Sequence, residues 1–136
     1  MWETPQAFFD LVDYEFHFEL DACAVPENAK CKDFITPEQD ALTQDWGRGR
    51  TIWCNPPYGR GLTDWVVKAR SAASQGNTVV MLLPARTDTK WFHRHVYHNA
   101  EIRFVEGRLK FGGSRENAPF PSMLAIFYPI REEDLY

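Results

Sequence analysis

The 136-residue sequence predicts an α/β fold, a mostly parallel sheet with an antiparallel hairpin toward its C-terminal end. Three observations carry that reading. The apolar runs "TIWC" (51–54) and "TVVMLLP" (78–84) are unbroken, as in strands covered on both faces. Between them "LTDWVVKARSAASQ" places apolar residues at helical spacing and is closed by Gly76. A strand, a helix and a strand in succession form a βαβ unit, whose strands run parallel.

The other elements follow in chain order. Thr4-Pro5 opens a helix through "QAFFDLV", with Thr4 as N-cap and Pro5 at the first helical position. "FHFELD" (16–21) alternates as a strand does. "TPEQDAL" offers a second helix start, with Thr36 and Gln39 spaced as a capping box. "DTKWFHRHVYH" reads as a third long helix, and "EIRFVEGRLKF" and "SMLAIFYP" as strands around a Gly-rich, charged connection.

With 44% hydrophobic, 15% aromatic and 25% charged residues, the chain is globular rather than disordered or coiled-coil. Its length suggests one domain, residues 1–136, with no separate target-recognition domain. No apolar run approaches the roughly 20 residues of a membrane helix, and "MWETPQAFFD" lacks the basic start of a secretion signal. Three cysteines, Cys23, Cys31 and Cys54, do not suggest a disulfide framework, so a reducing cytoplasm is expected. Charge is unevenly distributed: residues 1–46 carry 11 Asp/Glu against 2 Lys/Arg, and residues 47–130 carry 12 Lys/Arg against 5 Asp/Glu. The second segment suits a polyanion, although a solvated surface with chance clustering explains it equally well.

The chemistry centres on "TIWCNPPYGRG". Two prolines have no N–H and a fixed φ, so they end a strand in a stiff loop whose carbonyls lack ladder partners. Asn55 adds a side-chain acceptor there, Tyr58 a flat ring, and Gly59 and Gly61 room for close approach. A planar ligand with an exocyclic amino group fits. Its two N–H groups would donate to the Asn55 carboxamide oxygen and the Pro56 carbonyl, and its ring would stack on Tyr58. Stacking of this kind contributes about 1–3 kcal/mol per base. An aromatic amine is a poor nucleophile because its lone pair is delocalised, and two such acceptors push that pair toward an electrophile. The bland reading of the same residues is a turn after a strand.

"CNPPYG" resembles the catalytic motif of amino-group methyltransferases that use S-adenosylmethionine. The whole chain resembles the compact phage-type DNA N-6-adenine methyltransferases, through "WETPQAFFDLV", "FELDACAVPENAKCKDF", "DALTQDW", "WCNPPYG", "VVMLLPARTDTKWF", "VEGRLKFGG" and "APFPSMLAIF". The resemblance implies a Rossmann-like fold, S-adenosylmethionine as cofactor and DNA as partner, with no membrane association. It implies a catalytic loop of Asn55, Pro56, Pro57 and Tyr58. On the cofactor side it implies Trp2, Thr4 and Pro5 near the methionine end, Asp21 and Cys23 at the end of the first strand, and Asn55. Only 33 residues, none of 22–30 a glycine, separate Asp21 from Asn55, unlike the larger methyltransferases. The acids for the cofactor ribose and adenine are therefore left open between Asp33 and Asp40, each of which also reads as a solvated turn acid.

A base inside a duplex has to be flipped out to be methylated. Tyr58 would cover one face, and "EGRLKFGG" nominates Phe111 for the other, with Phe120 in reserve; both also read as core. Arg60, Arg86, Lys90, Arg108, Lys110 and Arg115 are the candidates for backbone phosphates. His93, His95 and His98 lie close in sequence, but no metal is expected, and Cys54 reads as a buried strand residue. Trp46, Trp53, Trp65 and Trp91 read as core or cleft wall. Alternatives to adenine are cytosine N4, a protein glutamine amide, or a catalytically silent module of the same fold. Site specificity would come from loops such as 107–121.

Overall fold

Residues 3–112 and 117–130 are described by the computed structural model, so Trp2 and Arg115 lie outside the described residues. The chain runs through helix α1 (Gln6–Phe16), strands β1 (Leu20–Asp21), β2 (Asp33–Phe34) and β3 (Thr51–Cys54), and helix α2 (Leu62–Ser74). Strands β4 (Thr78–Pro84), β5 (Glu101–Phe104) and β6 (Ser122–Phe127) follow. All six strands form one sheet in the order β2-β1-β3-β4-β6-β5. β2, β1, β3 and β4 are parallel, and β6 runs antiparallel to both β4 and β5. This is the expected α/β sheet with its antiparallel pair.

The two-residue period of a strand divides the core into two layers. Val79, Met81 and Leu83 of β4, with Ile52 and Cys54 of β3, face α2, which contributes Leu62, Val66, Ala69 and Ala73. Val80, Leu82 and Trp53 face α1, which contributes Phe9 and Val12. Phe9 meets Trp53 edge-on, with ring centroids 5.3 Å apart. Because both faces are covered, β4 has no polar side to show in sequence, which is why its apolar run is unbroken. α2 ends at Ser74, and Gly76 follows with φ +96°, a conformation that costs glycine little.

The structure corrects several sequence-based expectations. Thr4 does not cap α1: Pro5 occupies the N-cap, and no side chain caps the helix. Residues 16–19 are not strand. α1 reaches Phe16, and His17 turns into the left-handed region, donating its N–H to the Asp13 carbonyl at 2.7 Å. Phe16 and Phe18 stack on each other instead of alternating across a sheet. The Thr36–Gln39 capping box is present, but its helix is one 3-10 turn, Pro37–Gln39, ended by Asp40 at φ +56°. "DTKWFHRHVYH" makes a π-type turn over Phe92–Val96, in which the Tyr97 N–H reaches back to Phe92 O at 2.8 Å. β5 stops at Phe104. The chain then leaves the sheet and reaches the N-terminal segment, where the Gly112 N–H donates to Glu3 O at 2.8 Å. A Cβ on Gly112 would stand 3.2 Å from the Glu3 Cβ, so glycine allows this approach.

The parallel strands β1, β2 and β3 end at nearly one level, at Asp21, Phe34 and Cys54, and β4 runs three residues further, to Pro84, where it pairs with Ser122 at the start of β6. Ligands of such sheets bind outside these carboxyl ends. Among the described residues, no helix is long and apolar enough to cross a membrane.

Asn77, fully buried, secures the opposite end of the sheet. Its Nδ2 donates to Gly47 O at 2.7 Å and Ala72 O at 3.0 Å, and its Oδ1 accepts the Arg50 N–H at 2.9 Å. Asn77→Ala removes three hydrogen bonds, among them the one that pairs the Arg50 N–H, and should cost about 2–3 kcal/mol in urea unfolding. A loss below about 0.5 kcal/mol would show that the 47–50 turn holds itself.

Candidate active site

Asp21 closes β1 with its side chain only 3% exposed. Its carboxylate accepts the Cys23 N–H at 3.2 Å and the Lys30 N–H at 3.0 Å, so the 22–30 loop wraps around it. The loop is closed by Asn28, whose Oδ1 accepts the Val25 N–H at 2.9 Å. The Asn28 N–H donates in return to Val25 O at 3.0 Å, so a reciprocally bonded turn serves where a glycine turn would be expected. Burial raises the Asp21 pKa to about 6, against the opposing pull of the two N–H donors.

β3 delivers Asn55 beside this acid. The Asn55 Nδ2 donates to Thr4 Oγ1 at 3.0 Å, and both residues are buried. Thr4, Asp21, Cys23, Asn28, Lys30 and Asn55 line a polar cavity of about 20 Å³. Across Cys23 lies a second cavity of about 240 Å³, walled by Ala22, Ile35, Leu42, Pro57 and Trp65, with Asp40 at its lining. The double-proline corner therefore borders both spaces, Asn55 the polar one and Pro57 the apolar one.

Tyr58 turns back over β4. Its hydroxyl donates to Leu82 O at 3.0 Å, and its ring meets Phe120 edge-on at 5.5 Å. Burial drives its pKa upward, so the phenol stays protonated. Gly59 follows at φ +131°, a value that glycine alone adopts readily. Phe111 is 1% exposed and stands 6.2 Å from the Phe120 ring, within the core layer of Phe9, Trp53 and Leu82. It is packed in the core, the second of the two readings its sequence allowed. Phe120, the reserve, touches Tyr58 directly.

The structure brings Thr4, Asp21, Cys23, Asn55 and the prolines together, and separates Asp33 from them. The Asp33 carboxylate pairs with Arg50 at 2.8 Å and is exposed, whereas Asp40 lines the apolar cavity. Pro5 sits at the head of α1 beside Thr4. Arg60, Arg86, Lys90, Arg108 and Lys110 are exposed, and none forms an ion pair among the described residues. Arg86 lies over the Phe120 ring at 5.7 Å, and Arg108 donates to Ala118 O at 3.3 Å. Elsewhere Arg48, Arg50 and Arg103 are already neutralised by carboxylates. The sequence reading missed Asn28, Lys30, Ile35 and Leu42. Ile35 directly follows the two-residue strand β2, Asp33–Phe34, which the sequence reading did not expect.

Burial and the neighbouring Asp21 push the Cys23 thiol up to about 12, and burial raises Cys54 as well, so neither is a thiolate nucleophile at neutral pH. His95 Nδ1 lies 3.3 Å from the Arg70 guanidinium, a poor setting for a cation. Among the described residues, no group of three His, Cys, Asp or Glu is placed to hold a metal ion.

The six-stranded sheet, four parallel strands followed by an antiparallel pair, is that of the Rossmann-like methyltransferase fold. A solved structure of a dimethyladenosine transferase from Plasmodium falciparum shares the fold, with a TM-score of 0.61 over 99% of this chain and 64% of that one, at 11% identity. Within that class the chain belongs to the DNA N-6-adenine-methyltransferase (Dam) family, which matches residues 1–135. It is 41% identical over 138 residues to the DNA N-6-adenine-methyltransferase of Haemophilus phage HP1 (strain HP1c1), covering 95% of this chain and 79% of that protein. It is 34% identical over 110 residues to the DNA N-6-adenine-methyltransferase of Escherichia phage T1, covering 80% of this chain and 46% of that one.

The Asp21 environment sets a pH dependence. Its folded pKa of about 6 lies above the ordinary 3.8, so its contribution to stability is complete below about pH 4 and is lost as pH rises through 6. The loss amounts to about 3 kcal/mol at most. Chemical unfolding between pH 4 and 7 should show this decline in the native protein and a flat profile in Asp21→Asn. Parallel profiles would place the titration elsewhere.

Proposed function

We propose that the chain transfers a methyl group from S-adenosylmethionine to the N6 amino group of adenine in DNA, on a base flipped out of the duplex onto the Asn55–Tyr58 corner. The observation that carries this reading is the position of Asn55. It stands at the carboxyl end of β3, tied to Thr4, on the wall of the cavity that also holds Asp21. Family membership supports adenine over cytosine N4 or a glutamine amide, for which the same acceptors would serve.

The residues present fit S-adenosylmethionine. The α-ammonium of its zwitterionic amino-acid end suits the polar wall of Thr4, Asp21 and Asn28, where Asp21 is ionised above about pH 6. Its flat purine suits the apolar cavity of Ile35, Pro57 and Trp65, with Asp40 available to a ribose hydroxyl or an amino group. A 20 Å³ cavity holds about one water, so admission of the amino-acid end requires the Glu3–Thr4 segment to yield. When bound, the cofactor supplies an electrophilic methyl carbon on a sulfonium.

The chain's own groups do the rest. Asn55 Oδ1 and the Pro56 carbonyl accept the two N–H groups of the amine and hold its lone pair out of conjugation. As methyl transfer builds positive charge on N6, both hydrogen bonds strengthen, which is differential stabilisation of the transition state. The N6 proton is lost to solvent afterward, so no strong base is needed. Tyr58, fixed through its hydroxyl, offers the stacking face once its edge contact with Phe120 opens. Arg60, Arg86, Lys90, Arg108 and Lys110, exposed and without an ion pair among the described residues, hold phosphates.

A labelled-methyl assay on DNA with nucleoside analysis should place the label in N6-methyladenine; label in N4-methylcytosine, or in protein, would refute the assignment. Asn55→Ala should lower kcat by about 10²–10³-fold with cofactor affinity retained. Equal loss of both would make Asn55 a folding residue. DNA affinity should fall with salt at a log–log slope near −4, roughly 0.9 per phosphate contact, and Arg86→Ala should reduce that slope by about 1. A slope near zero would remove the cations from the interface.

A further inference from the structure

We infer that Ser122 is a base-binding residue, whose hydroxyl donates to the N3 ring nitrogen of the flipped adenine and so helps to choose adenine over cytosine. The inference rests on the flipped-base reading of the Asn55–Tyr58 corner.

Ser122 opens β6 and is 1% exposed. Its Oγ has no hydrogen-bond partner among the described residues. A buried hydroxyl in that state costs free energy that an alanine would spare, so it calls for a partner that arrives later. Its place points to the base. Ser122 pairs with Pro84 at the carboxyl end of β4, three residues beyond the last β3 pair, Cys54 with Met81. Alternation along β6 turns it to the same face as Leu124 and Ile126, the layer that also holds Phe111 and Phe120. Phe120, two residues before it, meets Tyr58 edge-on, and the Tyr58 hydroxyl sits on the carbonyl of Leu82, the partner of Leu124. The parting of Tyr58 and Phe120 that stacking requires thus takes place beside Ser122.

β6 lies two strands from β3, about 10 Å across the sheet. A base whose amine is held by Asn55 and Pro56 at the end of β3 therefore turns the far side of its ring toward β6. In adenine the ring atom opposite the amine-bearing carbon is N3, whose lone pair is free to accept. In cytosine the atom opposite is N1, which carries the sugar and accepts nothing. A hydroxyl at this point is satisfied by adenine and left unpaired by cytosine, which is discrimination by an unmet buried donor.

The test sets Ser122→Ala against duplexes in which the methylated adenine is replaced by 3-deazaadenine, where a C–H stands for N3, or by 7-deazaadenine, which keeps N3. With the native protein, kcat/KM should fall about 10- to 100-fold on the 3-deaza duplex and change by no more than about threefold on the 7-deaza one. Ser122→Ala should show the same fall on adenine and lose nothing further on 3-deazaadenine, because both changes remove one interaction. Additive losses, or a variant slowed alike on all three duplexes, would overturn the proposal. So would a native protein indifferent to 3-deazaadenine, an arm that needs no variant. Urea unfolding supplies a second readout. With no partner to lose, Ser122→Ala should be at least as stable as the native protein. A lower midpoint would show that the hydroxyl is already bonded in the free protein, and the proposal would fall. The function itself is read from the product. Label in N4-methylcytosine or in protein sinks the adenine reading, whereas N6-methyladenine with equal rates on adenine and 3-deazaadenine sinks only the role of Ser122.

Discussion

Proline ends the β3 ladder, and the active end of the molecule is arranged around that fact. β3 pairs with β4 as far as Cys54 and Met81, while β4 continues to Pro84 with β6 alone beside it. Pro56 and Pro57 carry no N–H, so the ladder cannot extend. The Leu82 carbonyl, one residue past the last β3 pair, accepts the Tyr58 hydroxyl instead. A missing backbone donor is thereby converted into an anchored aromatic ring. The same stop turns Asn55 into the space beside Asp21 and leaves Pro57 as a wall of the neighbouring apolar cavity.

Much of this was legible in the sequence because the relevant signals are local and steric. Two prolines after an apolar run allow few outcomes, and an unbroken apolar strand needs cover on both faces. Legibility failed where a tertiary contact decided between local options. Phe16 and Phe18 alternate, but each gains more by packing near Trp53 than by joining a ladder, so the strand shrinks to Leu20–Asp21. The capping box at Thr36 formed as written, yet a box starts a helix and does not sustain one. Asp33 and Asp40 look alike in sequence; Arg50 claims the first at the far side, and the second reaches a cavity. Phe111 and Phe120 are both buried in one core layer, and only packing shows the second against Tyr58.

The loop after β1 shows how one structural task is met by another route. An acid at that position needs backbone donors around it, which glycine-rich turns supply by freeing φ. Here a turn from Val25 to Asn28, closed by the Asn28 side chain, folds residues 22–30 so that the Cys23 and Lys30 N–H groups reach Asp21. Two donors do not offset the burial, and the acid stays easier to protonate than an exposed one. In the proposed reading an incoming ammonium group would restore the ionised form of Asp21.

The order of the sheet also bears on how the chain acquires its shape during synthesis. β4 is buried throughout and lies between β3 and β6, yet β6 leaves the ribosome well after β4. Until Ser122–Phe127 emerge, the most apolar strand of the nascent chain is an open edge, a template for wrong pairing. Completion of the central layer is therefore a late event, and the growing polypeptide depends on chaperone shelter or on quick release for a clean yield.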